Sequence, residues 1–205
     1  MLNIAVMVSG GGTNLQALID AEKGGQLRGA RIALVISSRP GAYALERAAA
    51  NGIEAVSLGK AEFPDEGERE KAILGALRGA GIGLVVLAGY MSILPPGLIR
   101  EYEWRIINIH PSLLPKHCGM GFYGKRVHAA VLAAGDSESG ATVHYVDEGV
   151  DTGPAIIQER VPVMEGDDAD SLAARVLEVE HRILVAAVNK VVSEAGQAPG
   201  RGPGR

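Results

Sequence analysis

Near the middle of the chain, the apolar run at residues 105–115, RIINIHPSLLP, carries an amide and an imidazole two residues apart, Asn108 and His110. In a strand, residues two apart share a face, so both polar groups point the same way while Ile107 and Ile109 face a core. Pro111 cannot donate to a ladder and ends the pairing. A single histidine in a buried strand is ordinarily a core residue with satisfied hydrogen bonds. Two polar groups on one face, at the C-terminal end of a parallel strand, change that balance, because open α/β sheets bind ligands beyond those ends. An imidazole there can carry a proton, and an amide can donate to a developing oxyanion.

A second stretch suited to chemistry is SGGGTN at residues 9–14. Glycines admit close backbone approach, and a helix start offers unpaired N–H groups and the positive end of a dipole. This favours a single phosphate. No Gly-Lys-Ser/Thr follows, so it is not a Walker loop. Leu15 stands where a dinucleotide fingerprint needs its third glycine, and Ser38-Arg39 supply no acidic ribose partner. The plainer alternative is a tight turn capped by Thr13 or Asn14.

The third stretch is DEGVDTG at residues 147–153. Asp and Gly make turns, which is its ordinary reading. Its functional reading is that one aspartate reaches back to His110, where a carboxylate would favour the imidazolium. His117, Cys118 and His128 lack zinc-ligand spacing, so no metal is expected. Cys118 reads as an inert thiol in a loop, and His144, inside TVHYV, as structural or as support for the site.

These stretches sit in a regular succession. Apolar runs at 2–8, 32–36, 54–58, 84–88 and 106–109 alternate with helical patterns at 14–22, 43–51, 65–78 and about 96–103. That alternation means a parallel sheet covered on both faces. After a glycine-containing loop at 116–125 and a helix at 126–134, strands at 140–146 and 154–161 precede one long amphipathic helix at 168–192. The expected fold is α/β: a doubly wound, mostly parallel open sheet with an antiparallel C-terminal portion and a long C-terminal helix. One domain over 1–192 is expected, with residues 193–205 as a disordered tail. The 205 residues, 47% hydrophobic and 21% charged, suit one globular core. A net charge of −4 argues against a general nucleic-acid surface, and the single cysteine is compatible with a reducing compartment. No apolar run reaches membrane-spanning length and no signal peptide is visible, so a cytoplasmic protein is expected.

Five segments taken together carry a resemblance: SGGGTNLQALI (9–19), LAGYMSIL (87–94), NIHPSLLP (108–115), GATVHYVDEGVDTGP (140–154) and ARVLEVEH (174–181). The chain resembles the formyltransferase family, and within it the phosphoribosylglycinamide formyltransferases, over about residues 2–192. NIHPSLLP alone would mark only the wider fold, which includes formyltetrahydrofolate hydrolases. The resemblance implies transfer of a formyl group from the co-substrate 10-formyltetrahydrofolate to glycinamide ribonucleotide in purine synthesis, without a metal. It implies Asn108, His110 and Asp151 as the catalytic group. Gly11, Gly12, Thr13, Asn14 and Glu180 would hold the ribonucleotide. Met91, Ser92, Ile93 and Leu94, with Asn108 and the loop Asp147, Glu148, Gly149, Val150 and Asp151, would hold the folate. In this picture residues 1–104 supply the phosphate site and 105–192 the folate and catalytic part. The expected state is a monomer or weak homodimer with small-molecule partners only. Two alternatives stay open: a hydrolase of the same fold, and a nucleotide-binding module without turnover.

The resemblance also marks departures. Several relatives carry an arginine where this chain has Glu66, with Arg69 three residues on. The loop KHCGMGFYGKRVH differs from the commoner form. The expected mechanism has the amine attack the formyl carbon while a cationic His110, paired with Asp151, and the Asn108 amide stabilise the oxyanion.

Overall fold

The computed structural model describes residues 1–197. Among them, seven strands form one sheet in the order β3-β2-β1-β4-β5-β6-β7. The elements run β1 (Leu2–Val8), α1 (Thr13–Lys23), β2 (Ala30–Ser37), α2 (Tyr43–Ala50), β3 (Glu54–Ser57), α3 (Glu66–Gly79), β4 (Ile82–Leu87) and α4 (Pro96–Glu101). They continue with β5 (Ile106–His110), α5 (Lys125–Ala133), β6 (Glu138–Tyr145), β7 (Ala155–Pro162) and α6 (Ala169–Gln197). The first five strands pair in parallel; β6 and β7 are antiparallel additions beyond β5.

Alternation along each strand divides the core in two. Ile4, Val6 and Val8 of β1 join Leu15 and Leu18 of α1 and Val176, Ile183 and Leu184 of α6 on one face. Ala5 and Met7 join Ile73 and Leu77 of α3 and Leu98 of α4 on the other. Both faces of β1 and β4 are therefore covered, which is why these strands read as unbroken apolar runs. The C-terminal helix extends to Gln197, five residues past the expected boundary; the rest of the expected tail, 198–205, lies outside the described residues. None of the described helices is long and apolar enough to cross a membrane.

Two features of this topology position the site. Strand order reverses between β1 and β4, so the loops after these strands part and leave a crevice at the C-terminal edge. The change from parallel to antiparallel occurs at β5, whose residues Asn108 and His110 face His144 and Thr142 of β6 directly across the ladder. Ile107 and Ile109 are buried in the first core, while the Asn108 and His110 side chains point to the opposite face.

Candidate active site

The glycine-rich turn follows β1. Gly12 is the N-cap of α1, in the left-handed region (φ 71), and no side chain caps the helix. The alternative of a turn capped by Thr13 or Asn14 therefore does not hold. The first-turn N–H groups, which have no carbonyl within the helix, are thus left without a side-chain cap at the C-terminal end of β1. Gly12 also has a structural reason to be glycine, since a Cβ there would lie 2.6 Å from the Ala44 Cβ. Gly10 and Gly11 have open space around them, so approach of a ligand to the backbone concerns these two. The turn is held from α2: Arg47 Nε donates to the Gly11 carbonyl at 2.8 Å and the Ala44 N–H to that of Gly10 at 3.1 Å. Arg47 and its partner Gln16, 2.9 Å away, were not marked in the sequence, where Arg47 reads as a surface charge of an Ala-rich helix.

Asn14 turns inward and donates to Glu180 Oε2 at 2.6 Å, joining the turn to α6 across 166 residues. Glu180 is only 8% exposed. Burial pushes its carboxyl up to about 7, and the Asn14 bond offsets this only in part. The Asn14 carbonyl oxygen is buried without a partner. The two residues thus form a polar pair with hydrogen-bonding capacity left over, beside the uncapped helix.

The strand-end cluster lies along the same sheet edge. His144 Nδ1 lies 2.8 Å from the Tyr145 carbonyl, so Nδ1 carries the proton. Its Nε2 is then a lone pair, and it accepts from Asn108 Nδ2 at 3.1 Å. The second Asn108 N–H points to Asp151 Oδ1 at 3.5 Å, a weak contact. His144, read in the sequence as structural or supporting, orients the Asn108 amide. The cross-strand pairing that brings them together is invisible in one strand's periodicity.

His110 Nε2 donates to the His117 carbonyl at 3.0 Å, and its Nδ1 lies 3.7 Å from Asp151 Oδ2. Asp151 comes from the β6–β7 connection in the left-handed region (φ 57), a strained placement for a residue with a side chain. Its Oδ2 also accepts the Gly119 N–H at 3.0 Å. Burial pushes the Asp151 carboxyl up, but the positive charge that the His144 and His110 rings carry when protonated and the Gly119 N–H outweigh it, and its pKa stays below the ordinary value. For His110 the balance is the reverse of the expectation. Burial lowers its pKa, and the His117 carbonyl and Asp151, which raise it, do not make up the difference. Burial thus favours the neutral imidazole, in the form with Nε2–H toward the His117 carbonyl and a lone pair on Nδ1. The sequence shows the carboxylate that favours the cation but not the depth of burial that opposes it.

The structure brings Asn108, His110 and Asp151 into one cluster. Met91, Ser92, Ile93 and Leu94 follow β4, where the Met91 N–H donates to Ser9 Oγ at 2.7 Å. Met91 and Ile93 are exposed and Leu94 is buried. Asp147 Oδ1 folds its own loop by accepting from Gly149 N at 3.0 Å and Thr152 Oγ1 at 2.5 Å, so Asp147 serves the turn. Glu148 reaches Arg100 of α4 at 3.6 Å, and Val150 is exposed. Glu66 is exposed; Arg69 is buried, and among the described residues its guanidinium has Glu66 as its one partner, at 3.3 Å. No cluster of three or more His, Cys, Asp or Glu side chains able to hold a metal occurs among the described residues. Burial and the nearby Asp151 push the Cys118 thiol up, away from a nucleophilic thiolate.

A family model described as formyl transferase matches residues 2–188. Phosphoribosylglycinamide formyltransferase of Escherichia coli strain K12 is 40% identical over 182 residues, 89% of this chain and 83% of that protein. The trifunctional purine biosynthetic protein adenosine-3 of Drosophila pseudoobscura pseudoobscura is 46% identical over 179 residues, 87% of this chain; the chain spans 13% of that protein's length. Among solved structures, glycinamide ribonucleotide transformylase 1 from Symbiobacterium toebii superposes with a TM-score of 0.88 at 40% identity, covering 95% of this chain and 89% of that one.

Proposed function

Because the chain belongs to the formyl transferase family, we propose that it transfers the formyl group of 10-formyltetrahydrofolate to the amine of glycinamide ribonucleotide, a step of purine synthesis. One observation carries the reading: His110 Nδ1 lies 3.7 Å from the Asp151 carboxylate, beside an amide whose N–H groups can turn to a new acceptor. The ribonucleotide phosphate would sit on the backbone of Gly11, Gly12, Thr13 and Asn14, where the helix start is uncapped. Glu180 and the spare Asn14 oxygen would meet the ribose hydroxyls. The folate would lie along Met91, Ser92, Ile93 and Leu94 and the 147–151 loop, with the exposed Met91, Ile93 and Val150 giving apolar contact and Glu148 and Gly149 polar backbone.

In this arrangement the amine nitrogen attacks the formyl carbon and a C–N bond forms. The carbonyl oxygen becomes an oxyanion, to which Asn108 can turn the N–H now spent on its long contact with Asp151. One such donor contributes roughly 3–4 kcal/mol. His110 takes the amine proton on its free nitrogen and becomes an imidazolium, which the Asp151 carboxylate and the His117 carbonyl stabilise. The bond to the folate nitrogen then breaks, and that nitrogen receives the proton. Neutral resting histidine suits this order better than the expected cation, because a cation has no lone pair to accept the amine proton. The pair of substrates held in one cleft supplies much of the remaining acceleration.

The test mixes 10-formyltetrahydrofolate with glycinamide ribonucleotide and follows the folate absorbance. Acceptor-dependent change with formylated product supports the reading. Formate released without acceptor would instead identify a hydrolase, and no change would leave a binding module. We place this activity in the cytoplasm, in a monomer or weak homodimer, in keeping with the single cysteine and the absence of a membrane-spanning helix among the described residues.

A further inference from the structure

The acceptor that fixes His110 lies outside the NIHPSLLP, GATVHYV and glycine-rich motifs. His117 sits in the loop between β5 and α5, in the left-handed region (φ 51), where a residue with a Cβ is destabilised by about 1–2 kcal/mol. Its carbonyl accepts from His110 Nε2, and two residues on the Gly119 N–H donates to Asp151. Loop backbone thus binds both partners of the His110–Asp151 contact. Ser112 Oγ holds the neighbouring Lys116 carbonyl at 2.6 Å, and a carboxylate grips the His117 side chain itself. His117 Nε2 lies 2.7 Å from Asp136 Oδ2, and Lys116 Nζ lies 2.9 Å from Asp136 Oδ1. Asp136 stands in the turn between α5 and β6, its N–H bonded to the Val131 carbonyl. Val131 fixes that end of α5 in the core.

We propose that Asp136 is a positioning residue for the transfer: by gripping the His117 imidazole it holds the His117 carbonyl on His110 Nε2, and so fixes the tautomer whose lone pair faces Asp151. This rests on the reading of His110 as the proton carrier. Asp136 is bonded by His117 and Lys116, with Glu138 and Arg160 lining the same cavity, and the bonds, His117 first, hold its carboxyl below the usual range, so the grip persists through neutral pH. His110 is faced by Asp151, by His144 from β6 and by His128 from α5. Without the His117 carbonyl, nothing in that set except Asp151 opposes the burial that favours the neutral ring. The affinity of His110 for a proton falls, and its choice of tautomer loosens.

The experiment compares wild type, Asp136→Ala, His117→Asn and the double variant. Asparagine tolerates the left-handed region, so His117→Asn removes the imidazole while keeping the backbone shape. Nitrogen-15 NMR of the His110 ring in the intact, substrate-free protein reads the tautomer directly. The expected result is one tautomer, Nε2–H, in wild type and a mixture in each variant. The acid limb of kcat is expected to move to lower pH, and kcat to fall about tenfold or more with substrate KM values within about twofold. The double variant is expected to be no worse than either single one, as for two parts of one contact, and Asp136→Glu to recover part of the loss. A folded Asp136→Ala and a folded His117→Asn that both keep the wild-type tautomer and pH limb would overturn the proposal. Since the NMR signature needs no turnover, failure of formyl transfer in wild type would overturn the functional reading separately.

Discussion

Glu180→Gln should make the ligand-free protein more stable above neutral pH while changing little in acid. In the fold the Glu180 carboxyl is 8% exposed, with one donor, Asn14 Nδ2, at 2.6 Å. Burial moves its pKa from 4.5 to about 7. A proton held more tightly by the folded chain contributes its full stability below about pH 4.5, and that contribution disappears as pH rises through 7. At about 1.4 kcal/mol per pH unit, the difference is roughly 3 kcal/mol. Glutamine keeps an oxygen for Asn14 and cannot ionise, so the variant escapes this loss. The stability gap between variant and wild type should therefore widen by roughly 3 kcal/mol from pH 4.5 to pH 8, about 6–12 °C in melting temperature for a chain of this size. Urea unfolding of both proteins at pH 4.5, 6, 7 and 8 measures it, and every other titrating group cancels in the difference. A gap that stays constant across that range would show that Glu180 ionises freely in the fold, and the argument from its burial would fail.

His110→Ala and Asp151→Asn should each lower kcat by at least about a hundredfold with little change in ribonucleotide KM; near-normal turnover in a steady-state assay of either would remove these residues from the chemistry. The acid limb of kcat/KM should lie below the ordinary histidine value of about 6.5, because burial depresses the His110 pKa and activity is lost only when its lone pair is protonated; a limb above that value would restore the resting cation. Gly11→Leu, with open space around it, should raise ribonucleotide KM without lowering the melting temperature, whereas Gly12→Ala, at φ 71 and against Ala44, should destabilise by roughly 1–3 kcal/mol in denaturant titration. His144→Leu should lower kcat about tenfold or more by freeing the Asn108 amide; an unchanged kcat would make the 3.1 Å contact incidental.

Much of the scaffold was legible because local signals and global packing agree. Alternating apolar runs and helical patterns gave the parallel strands, and the period of two in IINIH put Asn108 and His110 on one face with Ile107 and Ile109 opposite. What one chain's periodicity cannot show is which distant residue arrives opposite. Asn14 reads as part of a phosphate loop or as a cap, and its side chain pairs with Glu180; His144 reads as structural or supporting, but nothing in its own strand names the Asn108 amide as what it supports; His117 and Asp136, without a motif, hold His110. The charge of His110 was misjudged for a related reason. A neighbouring carboxylate can be guessed from sequence order, but desolvation depends on everything packed around the ring. Gly12 shows the same limit, since its contact with Ala44 exists only once α2 is docked.

The direct pairing of Asn108 with His144 and of His110 with Thr142 ties the chemistry to counting along two neighbouring backbones. Deleting one residue of β6 ahead of His144 would swing every subsequent side chain to the far surface and bring Tyr145, not His144, opposite Asn108. Changes of length between residues 118 and 124 leave that count untouched. They would act instead through the Gly119 N–H and its bond to Asp151, altering the loop's hold on that carboxylate while the tally between those two strands stays frozen.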